Sequence, residues 1–460
     1  MRCLPPSVVV RTHPLGTLVC VGAVVAAGSI VGASANGRNG APAPQGAADT
    51  HGNKHDCVPM RLETTDYFVD VLSTLPNHLG VPAQIEVRRV RPIYQTGRCR
   101  GLVRSAVLVH GRTIDGISAF DVPYQDYSLM TAMANNGIDG FAFNQLGFGA
   151  SSHFSMDDPC NASNSRDAAV NVNPSNQQNL LLVPNPLQAE CLHSDNSHFT
   201  DRQAGIDQLE AVVNHVRSLS RGGDQHGTAA ERRRVNLFSW SLGSTVVGPY
   251  LAVPGNQANI ARVVMLAGPF GTTPALTQFE PPPGVGRATW PLGVGNVAGV
   301  SALVQVNAAC PGQRNVDVLH AVWESMRSRD PYAAGWGSNQ DPVTGGLSRW
   351  PTAVRWGWGP AEAAAITVPV LVIEGVIDRT VPPSHLDALY GALSSSQKLR
   401  VRMDCASHAS LWEGSAAASG WGGPHTTIQA AVTEWLTNGT YQGFSIGQFR
   451  TLADGTTVIE

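Results

Sequence analysis

The sequence predicts an α/β protein: a mostly parallel sheet flanked by helices, with an inserted cap. Three observations carry that expectation. Short, continuous apolar runs alternate with stretches of helical period, the pattern of strand and helix units whose sheet is covered on both faces. One of those runs ends at a serine set between small residues and followed at once by a helix. A Pro-, Gly- and Trp-rich interval, residues 269–365, interrupts the alternation, which then resumes.

The elements follow in order. Asp66 to Ser73 and Gln84 to Tyr94 alternate in β fashion, the second with one polar face, and predict an antiparallel opening. Ser105 to Val109 is a short apolar run ending in His110 and Gly111, as a strand buried on both sides should look. YSLMTAMANNG predicts a helix closed by Gly137, and IDGFAFNQLGFGASS a buried strand running into a glycine-rich turn. In Asp201 to Leu219, Ile206, Leu209, Val212, Val213 and Val216 share one helical face. Val235 to Phe238 then reads as a strand, Thr245 to Leu251 as a helix, and Ala261 to Leu266 as the next strand. The interval with Trp290, Trp323, Trp336, Trp350, Trp356 and Trp358 shows no such alternation and reads as a cap. VPVLVIEG, SHLDALYGAL, KLRVRMD and HTTIQAAVTEWL restore the order strand, helix, strand, helix. Ligands of such sheets bind beyond the carboxyl ends of the strands.

Composition narrows the function. Of 460 residues, 43% are AVILMFWYC and 48 are glycine, which fits a folded chain and excludes disorder. Charged residues make up 14% and the net charge is -3, so there is no footprint for nucleic acid. Arg2 and Arg11 precede an uncharged stretch from Leu15 to Val31 that ends in Ala33, Ser34 and Ala35, the layout of a signal peptide cleaved after Ala35. The stretch is nearly long enough to anchor the chain, but its Gly and Ala content favours removal and no stable membrane span. A lipoprotein reading through Cys20 is weaker, because bulky Val19 precedes it. The expected location is secreted or periplasmic. The chain thus divides into a signal peptide (1–35), a flexible linker (36–55), a first core part (56–268, with an insertion at 152–200), a cap (269–365) and a second core part (366–460).

Six cysteines remain in the mature chain, an even number in an oxidising compartment. Six allow 15 connectivities; proximity favours Cys57 with Cys99 and Cys160 with Cys191, leaving Cys310 with Cys405. No CxxC or Cys/His spacing calls for a metal, and no motif calls for a cofactor.

Ser239-Trp240-Ser241-Leu242-Gly243 stands at the end of the strand VNLF, where a nucleophile elbow would. Ser241 is the candidate nucleophile. The turn is so tight that only small residues fit two positions before and after it, and Ser239 replaces the usual glycine. A serine needs a base, and the base needs a carboxylate to fix its tautomer. Asp378, just past VPVLVIEG, is the candidate acid, with Glu374 inside the strand as its rival. His408, directly after KLRVRMD, is the candidate base; His385 and His425 head helices, and His193 and His198 fall in a polar insertion. The two oxyanion donors are expected from the backbone N–H groups of Leu242 and Arg112, with Gly111 allowing the chain to turn. A Cys310–Cys405 bond would orient the base and close the roof over it.

With HGR at 110–112, NQLGFGASS at 144–152, SWSLGS at 239–244, VIDRTVPP at 376–383 and SHASLWE at 407–413, the chain resembles the α/β-hydrolase superfamily over residues 87–436. The resemblance implies an eight-stranded sheet and a Ser241, Asp378, His408 triad. MDDPCNAS to LLLVPNPLQAEC at 156–191 also looks like an insertion of some secreted or periplasmic members. The expected activity is hydrolysis of a carboxylic ester of a small-molecule or polymeric substrate, uncharged and hydrophobic, with lactones and polyesters fitting equally well. Peptidase and acyltransferase activity are the alternatives on the same triad. Epoxide and haloalkane hydrolysis need an aspartate at the elbow and are set aside. A silent, ligand-binding member is disfavoured by candidates at all three triad positions.

An imidazole base must be neutral to take a proton, so turnover is expected to fall on the acid side, around roughly pH 6 to 7. A pH profile that stays flat down to about pH 4 would contradict a histidine base.

Overall fold

The fold is seen in a computed structural model. It describes residues 59–75, 78–94, 104–157, 202–219, 234–271, 292–305, 309–330, 332, 335–337, 341, 343–351 and 357–460. The expected signal peptide, the linker, Cys57, Cys99, Cys160 and Cys191 lie outside these residues, as does most of the insertion at 152–200. Among the described residues no helix is long and apolar enough to cross a membrane.

The chain opens with β1 (Arg61–Leu72) and β2 (Pro82–Ile93), paired antiparallel along their whole lengths. Ion pairs occupy both faces of β2, not the one polar face expected, because consecutive strand side chains alternate: Arg88 reaches Asp66 on β1 at 2.7 Å, and Arg89, on the opposite face, reaches Asp139 at 2.5 Å. Then follow β3 (Arg104–Val109), α1 (Gly116–Phe120), α2 (Leu129–Asn135) and β4 (Ile138–Phe143). Helix α3 (Arg202–Leu219) leads to β5 (Val235–Trp240), α4 (Ser244–Ala252) and β6 (Ile260–Leu266). After the interval come β9 (Val370–Gly375), α8 (Pro383–Ala392), β10 (Lys398–Met403) and α9 (Pro424–Asn438).

The main sheet runs β1-β2-β4-β3-β5-β6-β9-β10, and β4 through β10 are mutually parallel. These are the eight strands expected. Two short strands, β11 (Gly447–Thr451) and β12 (Thr457–Ile459), extend it to ten at the β10 edge, β11 parallel to β10 and β12 antiparallel to β11. They carry little sequence signal because Ile459 and Val458 face outward and only Phe449 and the polar Thr451 pack inward. Every residue of β4, β5 and β9 is buried, as strands covered on both faces require. One apolar layer holds α3, α4 and α8 against the sheet, and the other holds α1, α2 and α9.

The interval between β6 and β9 is more regular than its sequence suggests. It contains a hairpin of β7 (Leu292–Gly295) and β8 (Ser348–Pro351), and helices α5 (Val297–Gln305), α6 (Val316–Arg329) and α7 (Pro360–Ala364). Asn315 caps α6 by accepting from the Asp317 N–H, and Val318, Leu319, Val322, Trp323 and Met326 form its buried face. That face joins the core layer of α1 and α2, so this helix is part of the body. Trp323 and Trp358, two of the tryptophans expected in a cap, are fully buried core residues. At the far end of α6, Arg329 reaches Glu86 on β2 at 2.5 Å, and both side chains are nearly buried.

A buried carboxylate left without its cation is strongly destabilising, so Arg329→Met should cost about 3 kcal/mol or more. Adding Glu86→Gln should restore part of that loss in urea unfolding. A single variant as stable as the wild type would show that the pair does not hold α6 to the sheet.

Candidate active site

Ser241 stands at the end of β5, in a turn held from several sides. Its φ is +53°, a left-handed conformation that costs a non-glycine residue on the order of 1–2 kcal/mol. A Cβ on Gly243 would come within 2.3 Å of the Val109 carbonyl oxygen on β3, so only glycine lets the chain turn there. Ser239, the residue in place of glycine on the other flank, is fully buried and its Oγ lies 3.0 Å from Ser244 Oγ. Its hydroxyl is thus accommodated by a partner across the turn.

Asp378 follows β9 in a loop that lies against the His408 loop. Ile377 N–H donates to the Ala406 carbonyl at 3.3 Å, and a Cβ on Gly375 would stand 2.1 Å from that oxygen. One carboxylate oxygen of Asp378, Oδ1, accepts the N–H groups of Thr380 and Val381 at 2.8 and 2.9 Å. The other, Oδ2, is 2.8 Å from His408 Nδ1, and His408 Nε2 is 2.8 Å from Ser241 Oγ. All three side chains are buried. A carboxylate at Asp378 accepts the Nδ1–H hydrogen bond and so keeps the ring proton on Nδ1, which leaves the lone pair of Nε2 facing the serine hydroxyl.

Glu374, the rival acid, is not in this chain. It pairs with Arg400 at 2.5 Å and Arg402 at 2.9 Å, and burial pushes its carboxyl up to about 7 against the pull of those guanidinium groups. His385 Nδ1 lies 2.8 Å from the Phe270 carbonyl oxygen and 3.2 Å from the Phe270 nitrogen, and His425 Nδ1 lies 2.8 Å from the Glu413 carbonyl oxygen. The histidine in contact with the Ser241 hydroxyl is His408. His193 and His198 lie outside the described residues.

The strand β3 delivers His110 and Gly111 to the serine. A Cβ on Gly111 would lie 3.0 Å from Ser241 Cβ and 3.3 Å from the Trp240 ring, so the backbone of 111–112 approaches the serine only because no side chain intervenes. The Arg112 side chain is exposed. Leu242 opens the first helical turn after the serine, where N–H groups lack intrahelical acceptors.

Two supports were not anticipated from the sequence. His110 is fully buried, and burial pushes its imidazole down to about 4, so it is neutral at ordinary pH. Its Nε2 accepts the Gln145 N–H at 3.1 Å and its Nδ1 donates to the Gly111 carbonyl at 2.8 Å, fixing the loop beside the serine. Trp240 Nε1 donates to the His408 carbonyl at 2.9 Å, joining the elbow directly to the base's backbone. Cys310 and Cys405 are bonded, with Cα atoms 5.7 Å apart, so the segment preceding α6 is tied three residues from His408. The other two expected pairings fall outside the described residues.

The sheet, with Ser241, Asp378 and His408 in that chain order at the carboxyl ends of β5, β9 and β10, has the α/β-hydrolase architecture. No protein-family model matches the sequence, and no curated protein does. Solved structures are similar in fold. A monoacylglycerol lipase of Paleococcus ferrophilus shares 16% identity, covering 73% of this chain and 95% of its own, with a TM-score of 0.37. A thermophilic esterase of Thermogutta terrifontis shares 14%, covering 80% and 97%, with a TM-score of 0.40. A bromoperoxidase of Bacillus anthracis shares 14%, covering 74% and 93%, with a TM-score of 0.38.

The two flanks of the elbow should respond oppositely to substitution. Gly243→Ala forces a Cβ into the backbone of β3 and should remove serine reactivity or the fold, whereas Ser239→Ala should cost about 1 kcal/mol and leave the serine reactive. Labelling of each variant with a serine-directed phosphonate, beside its melting temperature, checks this; an active Gly243→Ala would contradict the packing account.

Proposed function

We propose that this protein is a secreted serine hydrolase that cleaves carboxylic esters through an acyl-enzyme on Ser241. The observation that carries the reading is the unbroken hydrogen-bond chain from Ser241 Oγ through His408 to Asp378, each link 2.8 Å. In it, Ser241 Oγ attacks the ester carbonyl as His408 Nε2 takes its proton, and Asp378 stabilises the imidazolium that forms. The oxyanion is held by the backbone N–H groups of Leu242 and Arg112, worth on the order of 3 kcal/mol per donor. His408 returns the proton to the departing alcohol, and water repeats the sequence in reverse to free the acid.

An uncharged, hydrophobic acyl or alcohol group is the expected substrate. A peptidase that selects amino termini would need a free acidic acceptor by the base. Glu413, the buried carboxyl nearest in sequence, has both oxygens engaged by Ser407, which favours the ester reading. The Cys310–Cys405 bond supports an oxidising location, where such bonds persist.

The test is hydrolysis of p-nitrophenyl esters of increasing acyl length by the mature chain. Ser241→Ala should abolish turnover, and Asp378→Asn should lower kcat on the order of 10^4-fold by releasing the wrong tautomer. Turnover that survives Ser241→Ala would mean that another residue is the nucleophile. A wild type inactive on every ester but active on aminoacyl-nitroanilides would move the reading to a peptidase.

A further inference from the structure

One buried carboxyl beside the base has no part in the steps above. Glu413 is fully buried five residues after His408. Its Oε2 accepts the Ser407 N–H at 2.8 Å and its Oε1 accepts the Ser407 hydroxyl, which in turn accepts the Ala409 N–H at 3.3 Å. The residues on both sides of His408 are therefore tied to one carboxylate. The backbone of Glu413 is itself fixed: its carbonyl accepts from His425 Nδ1 at 2.8 Å, and the Gly414 N–H donates to the Gln313 carbonyl at 3.0 Å.

Among the described residues no arginine or lysine forms an ion pair with Glu413. The charged and titratable groups around it are Asp378, His408 and His425, with Tyr127 stacked on His425 and Asp126 at 3.5 Å from the far side of that ring. A buried carboxylate without a cation is costly, and its compensation here is the pair of hydrogen bonds from Ser407 together with the Gln313 side chain.

We infer that Glu413 is a positioning residue for His408: through Ser407 it holds the base's backbone so that Nε2 stays in line with Ser241 Oγ. This rests on the catalytic reading of Ser241 and His408. Burial pushes the Glu413 carboxyl up to about 7, and Asp378 adds to that, while the Ser407 and Gln313 donors oppose it. Once protonated, one of its oxygens becomes a donor, and the carboxyl can no longer accept both Ser407 bonds. The reactivity of Ser241 should then fall as Glu413 protonates, in addition to the fall set by the base.

The test follows the rate of Ser241 labelling by a fluorophosphonate between pH 5 and pH 9, in the full chain, for the wild type, Glu413→Gln and Ser407→Ala, with circular dichroism to check folding. The wild type should lose reactivity through two ionisations on the acid side. Glu413→Gln should show one, from a plateau lowered about tenfold, the loss of one charge-assisted hydrogen bond. Ser407→Ala, which keeps the Ser407 N–H bond, should be slowed by a smaller factor and decides the matter if the glutamine variant does not fold. A folded Glu413→Gln that labels at the wild-type rate with an unchanged acid limb overturns the inference alone, as does an unaffected Ser407→Ala. A wild type that is not labelled at Ser241 overturns the catalytic reading and this inference together.

Discussion

The structure turns on the tight passage from β5 into α4, where Ser241 is held at φ +53°. Backbone in that conformation persists only where its surroundings over-determine it. Here Gly243 seats against β3, Ser239 bonds across the turn to Ser244, and Gly111 lets the next loop close to the serine. The central strands are buried on both faces and cannot shift to relieve the turn. What the strain achieves is to direct one hydroxyl at the carboxyl edge of the sheet toward the loops after β9 and β10.

Those loops are fixed to one another as much as to the sheet. Ile377 bonds to Ala406, Trp240 bonds to the His408 carbonyl, and Glu413 grips Ser407. A hydrogen-bonded chain only 2.8 Å per link tolerates little slack, since displacement of about 1 Å can cost a hundredfold in rate. The arrangement extends into the interval between β6 and β9. Helix α6 is tied near its start to the His408 loop by Cys310 and Cys405, and at its end to β2 by Arg329 and Glu86.

Most of the sheet was legible in the sequence because its strands are buried on both faces and read as unbroken apolar runs. The Ser241, Asp378 and His408 positions were legible for a related reason: each sits directly after such a run, where a loop must emerge at the same edge. Helix α6 was legible in principle, since Val318, Leu319, Val322, Trp323 and Met326 recur at helical spacing, but the surrounding Pro, Gly and Trp content hid it. Strands β11 and β12 were not, being short, half-exposed and without a second apolar face. Supports such as His110, Trp240 and Glu413 depend on partners distant in sequence or on buried geometry, for which a single chain gives no pattern. That Asp378 lies beside His408 while Glu374 pairs with the arginines of β10 is a matter of loop geometry that the sequence does not show.

The central claim is that Ser241 carries the acyl group in turnover. The most direct measurement is rapid acid quench during hydrolysis of a slow p-nitrophenyl ester, followed by mass mapping of the peptides. An acyl mass on the peptide of Ser241, absent in the Ser241→Ala chain, is the result expected. Turnover with no acylated peptide, or with the acyl group on another residue, would contradict it.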